Sequence, residues 1–360
     1  MNVVHIITTI DRGGAEIQLL TLVREQIRQK IGVEILFLKG QSELRKDFEE
    51  LGATVYDFRD LNLAGKILFF RKRNRDNEFL FHAHLPRSEL VCTALARRGH
   101  FLVTRHNAEQ FYPNAPRFIS IILSRFVSNR AYKVIAISSA VADFLFENKE
   151  VKQIQKIEIV KYAYRFDLDV EYRRNRPRRV SESVCKIVSI GRLVPQKDYL
   201  TLLHGFQIAL KFVPHLHLII IGIGPLEKDL KTLAHKLGIL DRIEWLGKQS
   251  NVKHHLATAD IFVLTSKYEG FGLVLLEAIS VGVPIISTKF SAAYEVLGED
   301  FPGLVNIGDA VAVAEKIVDL QSVVNVDLYD KYIRKLQNRF SVEEMNNDLM
   351  NLYLSLLGQK

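Results

Sequence analysis

The sequence predicts an α/β protein of two parallel-sheet domains, and three observations carry that prediction. Short apolar runs of strand type alternate with helix-periodic segments along most of the chain. Many of these runs end in a glycine or polar turn that leads into the next helix, the order of a βαβ unit. The length, 360 residues, suits two domains better than one. Composition is that of a globular protein, 48% hydrophobic and 25% charged. No run of eighteen apolar residues is present, so no membrane-spanning helix is expected. The first residues lack the basic-then-apolar layout of a signal peptide. Cys92 and Cys185 are the only cysteines, so neither a disulfide framework nor a cysteine zinc site is expected, and a reducing cytoplasm fits.

In the first half, residues 3–7 read as a strand that runs into a polar turn ending in Gly13 and Gly14. A helix follows over 15–27, with Ile17, Leu20, Val23 and Ile27 at helical spacing. Without a full G-x-G-x-x-G, the glycine pair reads equally as a tight turn or a phosphate cradle. Residues 33–38 give a second strand, 43–51 a short helix, 55–57 a third strand and 61–75 another helix. That last helix sets Phe69 and Phe70 beside Arg71, Lys72, Arg73 and Arg75. It suits either an anionic membrane surface or a solvated helix end with core phenylalanines. Residues 79–84 form a strand ending in His82 and His84. The H-x-H spacing suggests a metal pair, but no third ligand lies near in sequence, so no metal is expected. Residues 101–104 form the next strand, which leads to His106. A histidine there can touch a substrate or serve the structure. Residues 111–132 mix aromatic and aliphatic side chains with Arg117, Arg125 and Arg130, as a lipid-facing helix or a packed one. A strand over 134–137, a helix over 141–147 with Ser138 as its N-cap, and a strand over 157–160 close a half of about six strands.

Residues 172–183, YRRNRPRRVSES, are basic and polar with a proline, and mark the domain boundary. The second half restarts with a strand over 185–190. The turn after it carries Arg192 and Lys197, cations suited to a diphosphate or simply solvated. A helix to 213 comes next. A strand over 217–221 ends in Gly222 and Gly224, and a helix follows. A strand over 243–246 and a helix over 252–258 lead to strands at 261–264 and 283–286. Between those two lies YEGFGLVLLEAISVG, with Glu269 and Glu277 eight positions apart. A helix starts near Gly270, Phe271 and Gly272, where glycines admit a close backbone approach and helix N–H groups point at anions. At about 1.5 Å per helical residue the two carboxylates lie roughly 12 Å apart. This spacing fits a sugar joined through a diphosphate to a ribose, or an ordinary turn with two solvated glutamates. Arg192, Lys197, Gly222, Gly224, Glu269 and Gly270 all follow strands, and in a parallel sheet such loops converge on one rim.

Charge is unevenly placed. Residues 1–165 hold 26 Lys and Arg against 18 Asp and Glu, which is the whole formal net charge of +8. Residues 181–360 hold 18 against 20. The basic half suggests an anionic partner, whether membrane lipid, a phosphorylated acceptor or nucleic acid; a merely solvated surface is the alternative.

The segments GRLVPQKDYLTLL, IIIGIGPLEKDL, EGFGLVLLEAISVGVPIIST and GLVNIGDAVAVAEKI resemble, in order and spacing, family 4 of the retaining glycosyltransferases. EGFGLVLLE resembles that family's E-x7-E signature. IDRGGAEIQLLTL, HAHLPRSE and VTRHN resemble the acceptor half of bacterial members that build surface polysaccharides or lipid-linked glycans. The closing FSVEEMNNDLMNLYLSLL resembles their last helix. The resemblance implies the GT-B fold: two Rossmann-like domains, residues 1–170 and 171–343, facing across a cleft, with a helix at 344–360 crossing back to the first. It implies a nucleoside-diphosphate sugar as donor, a glycan or polyprenyl-linked acceptor, and no metal or other cofactor. Arg192 and Lys197 would hold the diphosphate, Glu277 the ribose and Glu269 the sugar. Backbone N–H groups at Gly270, Phe271, Gly272 and Leu273 would meet phosphate and sugar, Gly13 and Gly14 would approach the donor, and His106 would sit by the sugar as a catalytic-site residue. A cytoplasmic enzyme at the inner face of the plasma membrane is expected, without nucleic acid. Two departures stand out. Residues 162–167, YAYRFD, replace the usual N-G-I-D run, and Ser291, Ala292 and Ala293 replace a usual glycine pair. The rival readings are a non-catalytic nucleotide-sugar binder and another GT-B enzyme such as a sugar-nucleotide epimerase.

Overall fold

A computed structural model of the chain describes residues 1–76, 78–174, 184–320 and 326–358. The core of the expected boundary segment, residues 175–183, lies outside the described residues. Two compact units emerge, Met1–Tyr164 together with Phe340–Lys360, and Arg165–Arg339. These breaks fall a few residues ahead of 170 and 343. Tyr164 N donates to Phe340 O at 2.9 Å, so both crossing points are tied within the first unit.

Among the described residues the first unit holds seven parallel strands, against about six expected: β1 Asn2–Ile7, β2 Gly32–Phe37, β3 Thr54–Asp57, β4 Phe79–His84, β5 Phe101–Arg105, β6 Lys133–Ala136 and β7 Ile157–Ile159. Their spatial order is β3-β2-β1-β4-β5-β6-β7. The second holds six: β8 Cys185–Ile190, β9 Leu216–Ile221, β10 Ile243–Gly247, β11 Ile261–Leu264, β12 Ile285–Thr288 and β13 Leu304–Val305, in the order β10-β9-β8-β11-β12-β13. Each sheet is wound outward in both directions from one point, between β1 and β4 and between β8 and β11. β1 is covered on both faces, so Val3, Val4, Ile6 and Ile7 are all fully buried, and His5, buried among them, is hydrogen-bonded at both ring nitrogens.

Several local expectations shift. Helix Pro86–Leu95 was not foreseen, although proline in its first turn marks such a start. The helix expected over 111–132 spans Arg117–Arg130, because Pro116 is its N-cap and Pro113 lies just before. The strand expected over 283–286 begins at Ile285. Phe70 is buried, and Phe69 stacks on Arg73, whose guanidinium lies 3.4 Å from the ring centroid and pairs with Glu34. That aromatic-basic stretch therefore faces the core through Phe69, Phe70 and Arg73.

Helix Arg117–Arg130 has its polarity inverted. Its buried side is Ser120, Ser124, Val127 and Ser128, while Phe118, Ile122 and Phe126 are exposed, Phe118 by 65%. The terminal helix Val342–Leu357 sends Met345, Leu349, Tyr353 and Leu356 into the first unit's core, beside Leu19, Leu22 and Val23 of helix Gly14–Arg28.

Candidate active site

In open parallel sheets, ligands bind outside the carboxyl ends of the strands where the winding reverses. In the second unit the loops after β8 and β11 meet at that point, and hydrogen bonds tie them together. Lys267 N donates to Gln196 O at 2.8 Å, and Thr265 Oγ1 donates to the carbonyls of Lys197 and Asp198 at 3.1 and 3.0 Å. Lys197 Nζ reaches Glu269 Oε1 at 2.5 Å, with both side chains nearly covered. Ser266 Oγ donates to the same oxygen at 2.5 Å, and Gln196 Nε2 to Tyr268 O at 2.9 Å. The lysine stem crosses Gly191, where a Cβ would lie 2.9 Å from Lys197 Cε.

Arg192 extends into solvent from the same turn. Its guanidinium makes one weak contact among the described residues, to Gln196 Oε1 at 3.5 Å, and is free to take an anion. The β9 loop supports this turn from below. A Cβ at Gly222 would lie 1.9 Å from Gly191 O, and one at Gly224 would lie 2.4 Å from Leu193 O.

Gly272, at φ 88°, turns the chain into helix Leu273–Ser280, which no side chain among the described residues caps. Phe271 is buried beneath the turn and Leu273 opens the helix. Glu277 lies in the second turn of that helix. Its carboxyl is pushed up to about 7, first by burial and then by nearby Asp169, while Lys253 opposes the shift. Lys253 pairs with Asp169 at 2.6 Å, and Ser280 Oγ donates to the same carboxylate at 2.7 Å. Sequence reasoning missed Asp169, Lys253, Gln196 and Ser266. Gln196 sits in the turn already singled out and was the findable one; Asp169 comes from a distant stretch with no motif.

In the first unit, Gly13 is the N-cap of helix Gly14–Arg28. A Cβ there would sit 2.5 Å from Glu16 Oε2, so the glycine lets that carboxylate fold back. Burial pushes Glu16 up to about 7. Gly14 beside it is exposed. Arg105, buried at the end of β5, pairs with Glu89 at 2.8 Å and Glu150 at 3.2 Å. His106 follows it, half-buried, and hydrogen-bonds His84 at 3.3 Å and the Tyr162 hydroxyl. Sequence spacing showed no third histidine near His82 and His84, but β1 supplies one. His5 pairs in register with His82, and nitrogens of His5, His82 and His84 lie within 4.8 Å of one another. All four rings are held below the usual histidine range by burial, His5 at about 4 and His106 at about 3.

Cations, a glycine turn and a carboxylate stand at the switch point of the second unit, which belongs to the doubly wound α/β class whose ligands bind there. Two sequence models narrow it: Glycosyltransferase Family 4 matches residues 12–161, and Glycosyl transferases group 1 matches residues 173–338. The chain belongs to glycosyltransferase family 4. It is 25% identical over 312 residues to N-acetyl-alpha-D-glucosaminyl L-malate synthase of Bacillus anthracis, covering 83% of this chain and 80% of that one. It is 25% identical over 368 residues to the lipopolysaccharide core biosynthesis glycosyltransferase LpsD of Rhizobium meliloti, covering 98% of each. Among solved structures, HepE of Anabaena, crystallised with UDP and glucose, superposes with a TM-score of 0.80 over 99% of this chain and all of that one, at 18% identity. The fold is thus the GT-B type, and the protein is a glycosyltransferase.

Proposed function

We propose that the protein transfers a sugar, with retention, from a nucleoside-diphosphate sugar to the hydroxyl of a glycan or lipid-linked acceptor, without a metal or other cofactor. The observation that carries this reading is the paired loop of the second unit, where Arg192 lies open beside the Lys197–Glu269 pair. As the sugar–phosphate bond breaks, charge grows on the leaving diphosphate. Arg192, Lys197 and the backbone N–H groups from Gly270 through Leu273 supply positive potential for it. Glu277 takes the ribose hydroxyls and Glu269 orients the sugar. Gly13, Gly14 and His106 contact the reacting sugar. The leaving phosphate assists deprotonation of the acceptor on the same face.

Arg192→Ala is expected to weaken the nucleoside diphosphate about 10- to 100-fold, the worth of one charge-assisted contact at about 1.5–3 kcal/mol. Calorimetry with UDP and GDP checks this, and unchanged affinity for both removes the assignment. Glu277 adds a pH signature. Its ionised form accepts from ribose hydroxyls, so donor affinity should rise with pH through about 7. A nucleotide sugar carries no phosphate that titrates in that range. Glu277→Gln should flatten the profile, whereas Glu269→Ala should spare the free nucleotide and damage transfer.

The acceptor side is read as membrane-associated. The inverted helix Arg117–Arg130 exposes Phe118, Ile122 and Phe126 next to Arg117 and Arg125 in the half that carries the net charge. Apolar side chains flanked by cations suit an anionic leaflet, where each cation contributes about 1 kcal/mol. Among the described residues no helix is long and apolar enough to cross a membrane. The protein should pellet with anionic vesicles at low salt, be released by high salt and ignore neutral vesicles. Phe118→Ser/Phe126→Ser should lose the binding. Recovery in the supernatant under every condition points instead to a soluble acceptor.

A further inference from the structure

Two hydrogen-bond chains in the first unit start from one amide. Gln26, fully buried on helix Gly14–Arg28, accepts at Oε1 from His5 Nε2 at 2.9 Å and donates from Nε2 to the Tyr353 hydroxyl at 3.4 Å. The first chain runs from His5 Nδ1 to His84 Nε2 at 3.0 Å, then from His84 Nδ1 to His106 Nε2 at 3.3 Å, and ends where His106 Nδ1 meets the Tyr162 hydroxyl. The second runs from the Tyr353 hydroxyl to His82 Nδ1 at 2.8 Å and from His82 Nε2 to Thr104 Oγ1 at 2.7 Å.

A neutral imidazole has one N–H and one lone pair, so a role fixed at one nitrogen fixes the other. An amide oxygen can only accept, so His5 donates from Nε2 and accepts at Nδ1. His84 must then donate from Nε2, and His106 likewise, which leaves His106 Nδ1 to accept from Tyr162. On the other branch the amide N–H occupies the Tyr353 oxygen, the Tyr353 proton goes to His82 Nδ1, and His82 donates from Nε2. We infer that Gln26 is a positioning residue that locks His5, His82, His84 and His106 into one common tautomer, Nε2–H, and so presents His106 with its Nδ1 as an acceptor. Turning the amide over would reverse both chains at once and place every ring proton on Nδ1. A mixed set fits neither orientation. The same geometry speaks against a metal between His5, His82 and His84. The nitrogens facing one another already carry the chain, and among the described residues none of their hydrogen-bond partners is a carboxylate that would balance a divalent charge.

The functional weight of this network rests on the placement of His106 at the reacting sugar. His106 spends Nε2 on His84 and Nδ1 on Tyr162, so its tautomer decides whether the Tyr162 hydroxyl donates into the chain or accepts from it. The test is long-range 15N–1H correlation on histidine-labelled protein at pH 7, with the four signals assigned by single His→Gln variants. Four neutral Nε2–H rings are expected. A mixed set, four Nδ1–H rings, a charged ring among the four, or stoichiometric zinc binding would overturn the inference. Gln26→Met keeps the length and removes both anchors. It should lose the common tautomer and slow release of nucleoside diphosphate from the donor at least 10-fold at saturation, with UDP and GDP affinity within twofold of wild type. Unchanged tautomers in Gln26→Met would also overturn the inference. Altered tautomers with an unaltered rate would instead remove His106 from transfer while leaving the tautomer assignment standing.

Discussion

Lys197→Met is expected to abolish transfer and to lower stability by about 3 kcal/mol. The physical reason is the covered pair with Glu269, whose side chains are only 13% and 11% exposed. Removing one member leaves the other charge desolvated and uncompensated, which typically costs about 3–5 kcal/mol. The loss should stay at the pair, because Lys267 N–Gln196 O, Gln196 Nε2–Tyr268 O and the Thr265 Oγ1 bonds still tie the β8 and β11 loops. Urea unfolding of the single variant and of Lys197→Met/Glu269→Gln separates structure from chemistry. The double variant should recover most of the stability, since the orphaned charge is gone, while transfer stays absent. A double variant no more stable than the single one would show that an uncompensated Glu269 charge is not what costs the stability.

Gly222→Ala should be nearly as damaging, although its α-carbon bears no chemistry. A Cβ there would meet the Gly191 carbonyl oxygen at 1.9 Å, and φ at this residue is +144°, a value that side-chain-bearing residues rarely adopt. The obstacle is backbone, which cannot swing aside as a flexible side chain would. The β8 turn must rise, carrying Arg192 and Lys197 with it. A loss of several kcal/mol in stability and at least a 10-fold loss of nucleotide affinity in the folded fraction are expected. Calorimetry below the unfolding transition checks this. Wild-type affinity in folded Gly222→Ala would mean that the glycine serves packing alone.

The outline of the second unit was legible because its signals are local. A strand reads from four to six consecutive apolar residues, as in Ile261–Leu264, and a turn from its glycines. Glu269, Glu277, Arg192 and Lys197 could be named for the same reason, since each lies beside such a turn. Their pairing could not be named. Lys197 and Glu269 are 72 residues apart in the chain and meet only because β8 lies next to β11. The inverted helix Arg117–Arg130 shows the opposite limit. Its apolar count reads equally well as a packed helix, and only the packed serines reveal which side faces out.

The sequence by itself determined the α/β class, two successive domains, the family and the candidate donor residues, because periodicity and motif spacing are properties of neighbouring positions. The tertiary structure decided which charges are paired, which cation stays open and how the histidines are connected. His5 and His82 lie within β1 and β4, His84 ends β4 and His106 follows β5, three adjacent strands, while Gln26 and Tyr353 come from two helices packed over them. Strand order sets such contacts, and strand order is fixed by the winding of the whole sheet rather than by any short stretch of residues.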